Sequence, residues 1–164
     1  MKKAQLWSTD FSISVVIFFS VMMLVVFAWS FVGYQNQQRI NFNEMENTAH
    51  IISDSMVRTA GEPISWNQTN VETIGLASDE NILNMDKVDY FINMSYAEIV
   101  SKLGVQGNLY FELRDISGNV IQNLNGDNIT KGTYPTASAT MVVPVERYCI
   151  YDDEVATLRL IMWV

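Results

Sequence analysis

The 28 residues between Asp10 and Arg39 carry no charge at all. Within them, Phe11 to Gly33 reads FSISVVIFFSVMMLVVFAWSFVG, 23 residues whose only polar side chains are four serines. A helix rises about 1.5 Å per residue, so this run covers ~34 Å, enough for a hydrocarbon layer ~30 Å thick. Serine hydroxyls are tolerable in lipid because they bond back to a carbonyl one turn earlier. The competing reading is a cleaved secretory signal, whose apolar core is usually ~7–15 residues followed by a small-residue cleavage site. Here the run is longer, and Tyr34-Gln35-Asn36-Gln37-Gln38-Arg39 follows it. The run therefore reads as a transmembrane or filament-core helix.

Charge divides the chain around this segment. Residues 1–38 hold two Lys and one Asp, whereas residues 39–164 hold eight basic and seventeen acidic groups. Lys2 and Lys3 at the short end place the N-terminus in the cytoplasm and the acidic remainder outside, by the excess of basic residues on cytoplasmic flanks. A head this acidic repels phosphate backbones, so no nucleic-acid partner is expected. Asp10 sits at the edge of the apolar run. It reads either as an interfacial carboxylate beside Lys2 and Lys3 or as half of a buried ion pair, and the residues alone favour the first.

Beyond Arg39, Phe42, Met45, Ala49, Ile52 and Met56 recur at alternating spacings of three and four, a seam of 3.5-residue period. Neither Pro nor Gly interrupts Tyr34 to Ala60, and Gly61 followed by Pro63 supplies a stop. The simplest reading is one helix from about Phe11 to Ala60, its outer half packing the seam on the head. A break within Gln35–Gln38, or a free coiled-coil stalk, is the alternative.

The head, residues 61–164, reads as two short helices followed by strands. Asn84 caps a turn through Val88, Phe91 and Ile92, and Ser95-Tyr96-Ala97-Glu98 is a capping box for a helix ending at Gly104. Leu109–Arg114 alternates as a strand, and Ser117-Gly118-Asn119 turns into Val120 and Ile121. A polar loop is expected over 123–135. Strands are expected over 139–151, with Pro144 marking an edge or bulge, and over 155–164. The expected class is α+β: a long N-terminal helix, transmembrane in its first half, packed on short helices and an antiparallel sheet of about four strands.

Catalytic and cofactor signals are sparse. There is no Gly-rich nucleotide cradle, and one Cys with one His excludes a Cys/His zinc cluster. His50 has Ser53 and Asp54 nearby, yet on a helix these do not form an orienting triad, so a solvated or packed histidine is expected. Cys149 reads as a small buried apolar residue. Asp152-Asp153-Glu154 reads as a hairpin turn in preference to a calcium site. No enzyme, metal or cofactor is expected. Three N-x-[ST] sequons, at Asn67, Asn93 and Asn128, are candidate N-glycosylation acceptors, in numbers that chance alone nearly supplies.

Lys2-Lys3-Ala4-Gln5-Leu6-Trp7-Ser8-Thr9-Asp10-Phe11, running at once into a long apolar helix, resembles the N-terminus of archaeal type IV pilin-like proteins. The head is similar to a subgroup of them at Thr59-Ala60-Gly61-Glu62-Pro63-Ile64-Ser65-Trp66, at Ile74-Gly75-Leu76-Ala77, and at Lys87 with Tyr90-Phe91. Further points are Tyr96, Leu103-Gly104 and the stretch from Val143-Pro144-Val145-Glu146-Arg147-Tyr148 to Leu160-Ile161-Met162-Trp163. The resemblance implies a pilin-like fold and a cytoplasmic leader over residues 1–10. A prepilin peptidase would act around Lys3, Ala4, Gln5 and Leu6. The apolar helix would then leave the lipid to pack with other pilin subunits.

The resemblance also gives Asp10 a partner, the α-amine created by cleavage on a neighbouring copy, in a low-dielectric core. In one respect the chain departs from the family's usual pattern: two residues, Leu6 and Trp7, separate Gln5 from Ser8 where one is usual. A cut before Gln5 makes Asp10 the sixth mature residue, and a cut after it the fifth; the small Ala4 favours the first. An uncut, permanently anchored protein is the alternative. Composition leans toward a minor or pilin-like subunit of a cell-surface filament, the other reading being a non-assembling single-pass membrane protein with an extracellular binding head.

Overall fold

The computed structural model describes residues 3–123 and 125–164, with side chains from Thr9 onward. In chain order the elements are α1 (Lys3–Arg58), β1 (Ala77–Asp79), β2 (Ile82–Leu83), α2 (Met85–Asn93), α3 (Tyr96–Leu103), β3 (Asn108–Asp115), β4 (Thr130–Gly132), β5 (Val142–Tyr151) and β6 (Glu154–Trp163). The chain divides into two compact units, Met1–Phe42 and Asn43–Val164.

In the first unit the backbone is helical from Lys3, with no break across Gln35–Gln38. Nothing in this stretch opposes a helix: there is no Pro, and the single Gly33 is embedded among apolar neighbours. Ser20 returns its hydroxyl to the Val16 carbonyl at 2.8 Å, one turn earlier. Among the described residues, α1 is the one helix long and apolar enough to cross a membrane.

The second unit is α+β, as the hydrophobic patterning implied, but its sheet is larger than expected. Six strands lie in the order β1-β2-β5-β6-β3-β4, in place of about four antiparallel ones, and the sheet is mixed because β2 runs parallel to β5. The strands absent from the sequence reading are β1, β2 and β4, three, two and three residues long. Segments that short carry no measurable alternation. β4 falls inside the stretch read as a polar loop. Val120, read as the start of a returning strand, makes only an isolated bridge to Arg114. β5 begins at Val142, three residues later than expected.

β3, β6 and β5 pair antiparallel, placing Leu109, Met162 and Val143 in one row and Phe111, Leu160 and Val145 in the next. These rows share one buried cluster with Met45, Ala49, Ile52 and Met56 of α1 and with Val88, Phe91 and Ile99 of α2 and α3. Four of the five seam residues are therefore core. Asn84 caps α2 by accepting from the Lys87 amide, and Ser95 caps α3 by accepting from that of Glu98. Gly104 then leaves α3 in the left-handed region at φ 65°.

The opposite sheet face carries Glu112, Arg159 and Glu146 in one row. Glu112 is only 2% exposed, and Arg114 at 2.7 Å and Arg159 at 3.2 Å balance its charge. At the β5–β6 hairpin Asp152 and Asp153 both have positive φ, 54° and 61°. That is the geometry of a two-residue loop matched to strand twist, and it accounts for the paired aspartates.

Candidate functional site

Two regions hold the residues singled out in the sequence. The first is the apolar stretch of α1. From Phe11 to Val32 its large apolar side chains other than Val15 are 53–81% exposed. Apolar burial stabilises by about 25 cal/mol per Å², so leaving this many side chains in water is strongly unfavourable, and the segment requires an apolar surrounding. Asp10 is exposed at the start of this run. The side chains of the processing residues Lys3, Ala4, Gln5 and Leu6 lie outside those described.

The second region is where the chain leaves α1. The last carbonyls of a helix have no partner within it and need donors from elsewhere. Here the Met56 carbonyl accepts from the Leu76 amide at 2.9 Å, Val57 from Asn81 at 2.8 Å and Thr59 from Ala77 at 3.0 Å. Ala60 just beyond accepts from two side chains, Trp66 Nε1 at 2.9 Å and Lys87 Nζ at 2.7 Å. Lys87 also reaches the Ala77 carbonyl at 3.3 Å, and Trp66 the Gly75 carbonyl at 2.8 Å. Burial holds the Lys87 ammonium below its usual pKa. Its partners are carbonyl dipoles, with no carboxylate in an ion pair among the described residues.

Two glycines make this clasp sterically feasible. A Cβ on Gly75 would meet the Gly61 nitrogen and the Thr59 carbonyl oxygen at 2.4 Å each. One on Gly61, at φ +76°, would meet the Thr73 carbonyl oxygen at 2.5 Å. The segments Thr59–Trp66 and Ile74–Ala77 and the residue Lys87, far apart in sequence, thus converge on one structural element. The sequence reading set them side by side only as points of resemblance. The physical signal available was register: Lys87 lies three residues after the cap Asn84 and four before Phe91, on the inner face of α2.

Other singled-out residues are dispersed. Arg147 Nε donates to Asp54 Oδ1 at 2.6 Å, and its Nη2 lies 2.9 Å from His50 Nδ1. Because a guanidinium only donates, His50 Nδ1 accepts, which assigns the ring proton to Nε2. Cys149 is 3% exposed, and burial pushes its thiol up to about 11. The three sequons differ: Asn67 Oδ1 accepts from the Thr69 hydroxyl at 2.7 Å, Asn93 Nδ2 donates to the Asp89 carbonyl at 2.8 Å, and Asn128 is exposed beside Gln122. No grouping of three metal-ligating side chains occurs among the described residues.

The head has an open hollow of about 770 Å³ between Ser55, Gly61, Glu62, Asn70 and Glu72, and one of about 400 Å³ beside Trp66, Asp86, Lys87 and Tyr90. In the second, the Lys87 ammonium is committed to the carbonyls of Ala60 and Ala77. No protein-family model, no curated protein and no solved structure matches this chain.

Proposed function

We propose that this chain is a structural subunit, of minor or pilin-like type, of a cell-surface filament similar to archaeal type IV pili. It enters the membrane through the Phe11–Gly33 segment, with its N-terminus cytoplasmic and its acidic head outside. A prepilin peptidase cuts near Ala4 or Gln5, and the freed helix packs with other copies. The observation that carries the reading is the bare apolar run: a helix 53–81% exposed along its large side chains, in a chain whose head has a separate, closed core. Such a surface is stable in lipid and equally so against identical helices, which is what a subunit moving between the two requires. Asp10 fits the second environment if it pairs with a neighbour's new α-amine.

The test is the mass of the mature N-terminus in protein from the cell surface, combined with imaging for filaments. Loss of the first four or five residues is expected, and an intact N-terminus counts against the reading. Asp10→Ala should lower filament yield while the head keeps its fold; normal filaments from that variant would remove the role given to Asp10. The two-residue spacer Leu6-Trp7 favours the second reading, a single-pass anchor that stays in the membrane and whose head binds an external partner.

A further inference from the structure

The head, Asn43–Val164, has seven basic residues against seventeen acidic ones. Six of the seven are engaged within the head, and the seventh, Arg58, is 58% exposed in a loose pair. Lys87, Lys102 and Lys131 donate to main-chain carbonyls, of Ala60 and Ala77, of Val71 at 2.6 Å and of Ile92 at 2.5 Å. Arg114 and Arg159 hold Glu112, Arg159 also approaches Glu146, and Arg147 holds Asp54. Arg58 stands 3.9 Å from Glu80. Four of the seventeen acids are thereby in ion pairs, and the other thirteen have no ion pair among the described residues. Those thirteen are spread over α1, both short helices, the loops, the ends of β1, β3 and β6 and the β5–β6 turn. In the first unit, Arg39 is exposed, and one cation does not offset them.

We infer that packing of this chain against a second copy of itself is gated by ionic strength. The inference rests on the proposed subunit reading, in which the apolar helices supply the attraction. Heads carried into proximity by those helices then face each other with carboxylates in large excess. Such like charges interact over about 30 Å at 0.01 M salt, about 8 Å at 0.15 M and about 3 Å at 1 M. At low salt the repulsion opposes the helix contacts; at high salt it acts only between touching groups. The partner that suits this surface is thus a screened copy.

The experiment uses the full-length chain, detergent-solubilised and then freed of detergent at 20 mM, 150 mM and 1 M NaCl. Assembled material is quantified by sedimentation and negative-stain imaging. The assembled fraction should rise about tenfold or more across the range. Salt also strengthens apolar contacts, so a charge-neutralised triple variant, Asp152→Asn with Asp153→Asn and Glu154→Gln, separates the causes. Asn is tolerated at both positive-φ positions of that turn, and circular dichroism checks the fold. Its assembly midpoint should move to lower salt. An unmoved midpoint, or equal assembly at all three salts, overturns the gate and leaves the subunit reading standing. No assembly at any salt, by wild type or variant, overturns both.

Discussion

Lys87 Nζ lies 2.7 Å from the carbonyl oxygen of Ala60, and the same oxygen accepts from Trp66 Nε1. A cation and an indole from separate segments thus close the region where α1 ends. Replacing Lys87 with Met keeps the volume and removes the charge. It also strips the Ala77 carbonyl of its lysine donor and leaves Ala60 with one. A buried acceptor without its donor costs about 1–3 kcal/mol, partly offset here because burying an ammonium is itself unfavourable. Lys87→Met is therefore expected to destabilise the head by about 1–2 kcal/mol, read by denaturant unfolding in detergent. A variant as stable as wild type would show that the clasp does not depend on this donor.

Gly75 has no room for a side chain. Its missing Cβ faces main-chain atoms of Gly61 and Thr59 at 2.4 Å, and neither can swing aside as a side chain would. Gly75→Ala should cost about 3 kcal/mol or more, at the upper end for single substitutions. Gly104→Ala is a useful contrast: nothing lies within 4 Å of its Cβ position, so only the left-handed backbone is penalised, by about 1 kcal/mol. Equal losses for the two would refute the close-approach argument.

The Arg147 guanidinium, through its hydrogen bond to the Asp54 carboxylate, holds that carboxyl below its ordinary value of 3.8. The folded state thus favours the ionised form more than the unfolded chain does. The contribution is full above the unfolded pKa and is lost as pH falls through the folded one. Asp54 is 45% exposed, so solvent screening limits the pair to about 0.5–1 kcal/mol. A double-mutant cycle with Asp54→Asn and Arg147→Gln should give a coupling of that size at pH 7 that fades below pH ~4. Coupling that grows on acidification would reverse the assigned sign.

Cys149 should be chemically silent in the native protein. Its thiol, pushed up to about 11 by burial and 3% exposed, presents almost no thiolate at pH 8. Labelling by a maleimide or a chromogenic disulfide is expected to follow global unfolding, at rates at least tenfold slower than in denaturant. Rapid labelling of the folded chain would mean that β5 opens locally.

The long elements were legible because periodicity accumulates with length. Met45, Ala49, Ile52 and Met56 repeat often enough to define a face, and the alternation in β3, β5 and β6 spans eight to ten residues each. β1 and β2 are held by pairing with each other and with β5 and have no pattern of their own. Arg147 follows the parity of Val143, Val145 and Cys149, so its direction was readable. Its partners were not, because His50 and Asp54 lie on another element. Lys87 was obscured by its charge: on composition a lysine belongs in solvent, and only the carbonyls of two main-chain segments, at Ala60 and Ala77, make its burial tolerable.

The clasp at the end of α1 also has a mechanical consequence. The amides of Leu76, Ala77 and Asn81 and the side chains of Trp66 and Lys87 all hold carbonyls between Met56 and Ala60. A tensile load applied along that helix would reach these five donors together and strain them in parallel. A single strand pairing such as Ile82 with Ile150 has no such sharing and would peel. The head is therefore joined to the end of α1 by five donors acting together instead of by one.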